Sequence, residues 1–381
     1  MDGATLADAV RHLADLYDIR GEDGGELRTA VDALQRLSAP DTARLLQAAR
    51  DDRFEGVHGF STRVRRTIRD IALVGSEGAT SALRARLPWL LRHLLDTSIV
   101  TCDQAAVMVR DLGILTLDDL DAAIADGRIL KLAPPVADRL RDAAATLALD
   151  PRPTILSRAR ELLDTFRSAI ASSCPSITES WIAGDTRRYE PLVRSLVLVA
   201  VTTDVPGAIA SLAELQGVDD VLHRSGRRAI LSGLESEIDV RFAGPDDLGT
   251  VLFTATGSHA HVAAITRRRR PGLCARETDV YARAALPWIP PEIRHDTGEI
   301  DAAASGRLPR LVSREELRGD LHMHTPSSDG QDTLETMVAA AAALGYEYIA
   351  ITDHSTNASA SRTITIDGLK RQREAIESLR E

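Results

Sequence analysis

The chain has 381 residues, 44% hydrophobic and 27% charged, with a net charge of −10. That length exceeds one ordinary domain, and the composition suits packed globular structure rather than disorder. The acidic excess argues against a protein that coats DNA indiscriminately, and no apolar run approaches the ~20 residues that cross a bilayer.

Residues 1–150 read as helices joined by short loops, with apolar residues at helical spacing over 6–17, 30–37 and 64–73. Residues 118–124 read as a capped helix ended by Gly127. This region carries 19 basic against 24 acidic residues, yet Arg63, Arg65, Arg66 and Arg69 crowd into seven positions. From Pro151 the texture changes. An amphipathic helix over 155–171 precedes expected strands at 180–183, 195–201, 228–231 and 236–242. Loop signals at 287–291 and 306–309 lead to a strand at 320–324, a helix at 334–344 closed by Gly345, and a strand at 348–352. Arg267, Arg268, Arg269 and Arg270 are consecutive. Lys131 and Lys370 are the only lysines, so an arginine is not by itself a sign of phosphate binding. Cys102, Cys174 and Cys274 make neither a disulfide framework nor a CxxC knuckle, so a cytoplasmic protein without membrane contact is expected.

The last strands carry the sharpest chemistry. Side chains alternate faces along a strand, so His322 and His324 point the same way. Asp329 follows in the exit loop and His354 ends the next strand. Imidazoles beside a carboxylate suit a divalent metal, against the plainer reading of an accidental surface His-x-His. These residues, in Gly-Asp-Leu-His-Met-His-Thr (319–325) and Ile-Thr-Asp-His-Ser (351–355), resemble the PHP family of phosphoesterases. The resemblance implies that His322, His324, Asp329 and His354 are metal ligands, for Zn, Mn or Mg. Only 62 residues follow Gly319, and two strands close no barrel. We therefore expect an incomplete domain, weakly held metal, mobile loops at 325–329 and 355–363, and no hydrolysis.

Further motifs lie upstream. Gly184-Asp185-Thr186-Arg187-Arg188-Tyr189, residues 194–198, Glu237-Ile238-Asp239-Val240-Arg241 and Thr256-Gly257-Ser258-His259-Ala260-His261 come in an order that resembles the palm of the bacterial DNA polymerase X family. Residues 286–292 and 298–300 resemble its link to the PHP part. The resemblance implies an α+β chain in four parts. These are a helix-hairpin-helix DNA-binding domain (1–150), a polymerase beta-like nucleotidyltransferase palm (151–245), thumb and linker (246–312), and the first strand–helix–strand of a PHP barrel (313–381). It also implies nucleotide contacts from Gly184, Arg187, Arg188, Thr256, Gly257 and Ser258.

The departures from the pattern matter equally. The resemblance implies two metals held by three aspartates for phosphoryl transfer, and only Asp239 is left. Ser195 and Val197 stand where the other two belong, and Asp204 lies too far along to substitute. Asp185 is expected to repel a triphosphate. DNA contacts are implied at the first hairpin (57–61), by Gly59, Arg63, Arg65 and Arg66. Ile99 and Thr101 replace the second hairpin's glycines, and Pro134 and Pro135 occupy the third, where proline has no N–H to donate.

The expected function is a polymerase X-like DNA-repair protein that binds gapped or nicked duplex weakly, or scaffolds a repair complex, without catalysis. One alternative is retained polymerase and 3′–5′ exonuclease activity in base-excision repair. Another is a split protein completed by a second PHP-bearing chain. His223 and His295 are expected in solvated loops, and Trp181 and Trp288 in cores.

Overall fold

The computed structural model describes residues 1–54, 59–147, 153–358 and 362–380. It divides into two compact units, Met1–Leu308 and Pro309–Glu381. Both contain helix and sheet, the expected α+β class. Val57 and His58 of the first hairpin, and the expected boundary near Pro151, lie outside the described residues.

The first unit opens with the expected helices. Gly3–Ile19 buries Leu6, Val10, Leu13 and Leu16 along one stripe, and Asp2 caps it by accepting the Thr5 N–H at 2.8 Å. Thr62–Arg84 outruns its expected span because two helices meet at Gly75, whose φ of 80° no β-branched residue would tolerate. Thr101 caps Cys102–Leu112 with Gln104 closing a capping box. Pro134 and Pro135 open the helix Pro134–Leu147, where a missing N–H costs nothing.

A short pair, β1 (Thr154–Ile155) with β3 (Leu192–Val193), lies beside the main sheet. The sheet runs in the order β2-β4-β7-β6-β5. Its strands are β2 (Glu179–Ile182), β4 (Leu196–Val201), β5 (Val218–Arg224), β6 (Arg228–Gly233) and β7 (Ser236–Ala243). All six residues of β4 are buried, as a central strand covered on both faces requires. On one face Leu196, Leu198, Ile238 and Val240 pack with Leu163, Phe166 and Leu212 from two covering helices. On the other, Val197 and Val199 meet Leu252 and Ala255 of helix Leu248–Thr256.

Two expectations fail here for the same reason. β5 was not expected, because its polar residues mask any alternation, and it is the strand against which the N-terminal helices dock. His223 is therefore not a solvated loop residue. It is buried on β5, with Nδ1 2.7 Å from the Ile19 carbonyl oxygen. Leu222 and Ile230 complete the helical core. Buried Arg20 donates to the Arg86 and Val221 carbonyls and pairs with Asp220 at 3.3 Å. Trp181 and Trp288, expected in cores, are 42% and 39% exposed.

In the second unit β8 (Gly319–Met323) and β9 (Tyr348–Ile351) pair in parallel, joined through helix Leu334–Ala343. Helix Ile366–Ser378 follows.

Candidate palm face and metal centre

The parallel register of β4 and β7 sets Val197 directly beside Asp239. Ser195 lies half-buried just before β4. The position paired with Asp239 on the neighbouring strand thus carries a hydrocarbon that is itself part of a small core. Gly184 fits that core closely: its φ is +60°, and a Cβ there would meet Val197 Cγ2 at 2.9 Å. Asp239 is 4% exposed and fully engaged. Arg228 grips both its oxygens at 2.7 and 2.8 Å, and Arg241 adds a contact at 3.1 Å. Burial pushes the Asp239 carboxyl up, but Arg228 and Arg241 outweigh it and hold the group below the usual range. Arg228 also reaches Asp119 at 2.8 Å, on the helix Leu117–Ala125. Asp204 offers no compensation, since it caps helix Val205–Ala213 by accepting the Gly207 N–H at 3.0 Å.

The motif residues around 184–188 and 256–258 do come together, but they bind one another. Arg187 forks onto Glu277 at 2.8 and 2.9 Å and donates to Thr256 Oγ1 at 2.8 Å. Arg188 donates to the Thr256 carbonyl at 2.6 Å and to Asp185 at 2.5 Å. Asp185 does not face outward, contrary to expectation. It is buried, and its second oxygen accepts the Arg194 N–H at 2.9 Å. Arg294, fully buried, shares Glu277 at 2.5 Å. Ser258 caps helix His259–Arg268. His261 in its first turn lies between Glu299 (2.5 Å) and the Tyr281 hydroxyl (2.9 Å), a structural role. No sequence signal marks Glu277 or Arg294, because their partners come from other elements.

In the helical region Gly59 is exposed with φ +97°. Arg63 is turned inward: it pairs with Glu22 at 2.8 Å, donates to the Asp23 carbonyl and stacks over Tyr17. Arg65 donates to the Phe60 carbonyl at 3.0 Å and lies over Phe54. Arg69 pairs with Asp52 at 3.1 Å. Arg66 is exposed beside a hollow of about 910 Å³ that it lines together with Arg20, Glu22 and Asp70.

The second unit gathers three of the four candidate ligands. Asp329 lies 2.7 Å from His324 Nδ1 and 3.2 Å from His354 Nε2, and one ligand atom from each residue falls within 4.8 Å of the other two. His322 is exposed and stands outside that group, although its ring centroid is 5.1 Å from that of His324. β8 ends at Met323, with a register shift between Asp320 and Met323, so regular strand alternation does not extend to His324. The donor set fits a cation in kind, since two imidazoles and a carboxylate are ligands that Zn²⁺ takes.

The loop carrying Asp329, expected to be mobile, is hydrogen-bonded to Asp353, and residues 359–361 of the other expected loop lie outside the described residues. Asp353 accepts from the Thr325 N–H (2.8 Å), the Thr325 hydroxyl (2.6 Å), Ser328 Oγ (2.5 Å) and Gln372 Nε2 (2.5 Å). Thr325 and Ser328 are 2% and 1% exposed. Burial raises the Asp353 carboxyl, but the Ser328 and Thr325 hydrogen bonds prevail and hold it below the usual range. Its place beside His354 in the motif was the one available clue.

Residues 320–377 match the PHP domain. Over 219 residues the chain is 30% identical to the DNA polymerase/3′-5′ exonuclease PolX of Bacillus subtilis (strain 168), covering 52% of this chain and 38% of that protein. The chain therefore spans well under half of that relative's length. Two solved structures of Leishmania infantum polymerase beta superpose loosely, each with a TM-score of 0.36. The ternary P/T complex is 15% identical and covers 51% of this chain and 94% of its own; the ternary gap complex is 13% identical and covers 66% and 98%. Among the described residues no helix is long and apolar enough to cross a membrane.

Proposed function

We propose that this chain, which belongs to the DNA polymerase X family and carries a PHP domain at 320–377, binds interrupted duplex DNA but does not add nucleotides. The observation that carries this reading is the pairing of Val197 with Asp239 across β4 and β7. Two-metal transfer needs several carboxylates converging on the cations, and here a buried valine adjoins one carboxylate already neutralised by two arginines. Arg187 and Arg188, the cations nearest a triphosphate by the resemblance, are engaged with Glu277 and Asp185. The test is primer extension across a one-nucleotide gap with Mg²⁺ or Mn²⁺. No product is expected, and extension that disappears in Asp239→Ala would overturn the reading.

A second reading, phosphoester hydrolysis by the PHP part, is favoured by His324, Asp329 and His354, whose donor atoms lie within 4.8 Å of one another. These three would hold a divalent cation, which when bound would polarise a phosphate ester and acidify water. The residues of this chain would orient the cation, with Asp353 fixing the Asp329 loop. We expect weak, substoichiometric metal on elemental analysis after dialysis. One tightly held ion per chain, with 3′–5′ exonuclease activity lost in His324→Ala, would favour the hydrolase instead.

A further inference from the structure

The arginines that the sequence marks for DNA are mostly occupied within the fold, whereas another set is not. Arg267, Arg268, Arg269 and Arg270 are all exposed. Among the described residues none of the four has a hydrogen bond, ion pair or ring contact to another side chain. Other exposed arginines are mixed in this respect: Arg44, Arg110, Arg158 and Arg276 each sit on a carboxylate, whereas among the described residues Arg36, Arg53 and Arg66 do not, and the strip stands apart in being four consecutive positions. Asp296 and Asp301 line a hollow of about 510 Å³ with Arg267 and Arg268, but neither comes within ion-pair distance of them.

The strip is held firmly. Arg267 and Arg268 form the last turn of helix His259–Arg268, and the Arg269 N–H donates to the Ile265 carbonyl at 3.0 Å. Immediately after Arg270, buried Pro271 offers its carbonyl to Arg283 Nη1 at 2.8 Å, and Thr250 Oγ1 donates to the Gly272 carbonyl at 2.8 Å. Cations in a last helical turn complement the helix dipole, which accounts for Arg267 and Arg268. It does not account for Arg269 and Arg270, which lie past the helix end. In a chain of net charge −10, four uncompensated guanidinium groups in a row are self-repelling unless something anionic meets them.

We propose that Arg267–Arg270 is the chain's principal contact with the phosphate backbone of duplex DNA. This rests on the DNA-binding reading above and moves its electrostatic centre away from the hairpin at Gly59. With a rise of ~1.5 Å in helix and ~3.3 Å extended, the four residues span roughly 8 Å. Duplex DNA carries one charge per ~1.7 Å of axis with both strands counted, so about four to five charges lie along that span and each guanidinium can meet one. Arginine suits this by forking onto phosphate oxygens, and exposed Leu273 beyond the turn adds an apolar contact for sugar.

The test measures binding of the full chain to a labelled one-nucleotide-gap duplex over a series of salt concentrations. Wild type is compared with Arg267→Gln/Arg268→Gln/Arg269→Gln/Arg270→Gln. A charge-matched control carries Arg36→Gln/Arg44→Gln/Arg158→Gln/Arg160→Gln. The strip variant should bind ~30-fold or more weakly at low salt, with the slope of log K against log salt shallower by about 3, at −0.9 per contact. The control should stay within about threefold of wild type, since scattered charges contribute little. Should the quadruple variant unfold, Arg269→Gln/Arg270→Gln, outside the helix, should remove about half of that slope.

Equal losses in strip variant and control, or an unchanged slope in the strip variant, would overturn the assignment while leaving DNA binding intact. Absence of DNA binding by wild type would overturn both this inference and the reading it rests on. Binding to phosphatidylserine vesicles in place of DNA would do the same.

Discussion

Asp239 is the residue on which the palm reading turns, and its surroundings explain how a solitary carboxylate survives in a buried sheet. An ionised carboxyl removed from water needs positive charge close by. Arg228 and Arg241 supply it from the neighbouring strand and from β7 itself, so charge balance no longer calls for a dissociable cation. Removing one partner should be costly. Arg228→Met is expected to destabilise the first unit by about 3–5 kcal/mol, because it leaves Asp239 buried and under-compensated. Adding Asp239→Asn should recover much of that loss. Urea unfolding of the two single variants and the double checks this, and strictly additive effects would mean that the pair is not coupled.

The elements fix what each side chain can do. β4 presents Val197 and Val199 to helix Leu248–Thr256, so restoring carboxylates by sequence alone should fail. Ser195→Asp/Val197→Asp is expected to add no nucleotide and to lose a few kcal/mol, as an acid buried among apolar neighbours does. A thermal melt and a primer-extension assay report both parts, and nucleotide addition by this variant would refute the account of the palm. In the second unit the corresponding brace is Asp353, which joins β9's exit to the Asp329 loop and to helix Ile366–Ser378. Asp353→Ala should weaken Zn²⁺ retention roughly tenfold or more, as loss of a partner that orients ligands commonly does. Unchanged affinity in a Zn²⁺ competition titration would show that the loop holds its shape without it.

At the scale of the whole first unit, the N-terminal helices and the sheet are joined by buried polar contacts. One of them is sensitive to pH. Glu237 accepts the Trp89 N–H at 2.6 Å, and burial pushes its carboxyl up to about 7, opposed by that hydrogen bond and Arg92. A carboxyl raised from 4.5 to about 7 binds its proton more tightly folded than unfolded. The stability this gives is fully present below pH ~4.5 and is lost as pH rises through ~7. Glu237→Gln should therefore match wild type at low pH and exceed it by up to roughly 3 kcal/mol above pH 8. Parallel unfolding curves at pH 5 and pH 8.5 check the sign, and a variant equally displaced at both would exclude titration as the cause.

Local information was enough to read the helical character of the first 150 residues and the β4 and β7 strands, and to mark His322, His324, Asp329 and His354 as candidate ligands, of which the structure gathers three. Periodicity, caps and strand alternation act within a few residues of sequence. That Ser195 and Val197 stand where the resemblance places two aspartates was likewise visible without coordinates. What the sequence could not show is which charges cancel one another. Arg63 with Glu22, Arg187 with Glu277, and Arg228 with both Asp239 and Asp119 pair across 11 to 109 positions. Such pairings depend on packing between elements and leave no local pattern. The same holds for His223, placed by the docking of helices on β5, and for Asp353, whose acceptor role needs Gln372 from a later helix. Tertiary structure therefore decided which arginines remain free to meet a ligand, because a guanidinium's availability depends on what folds against it.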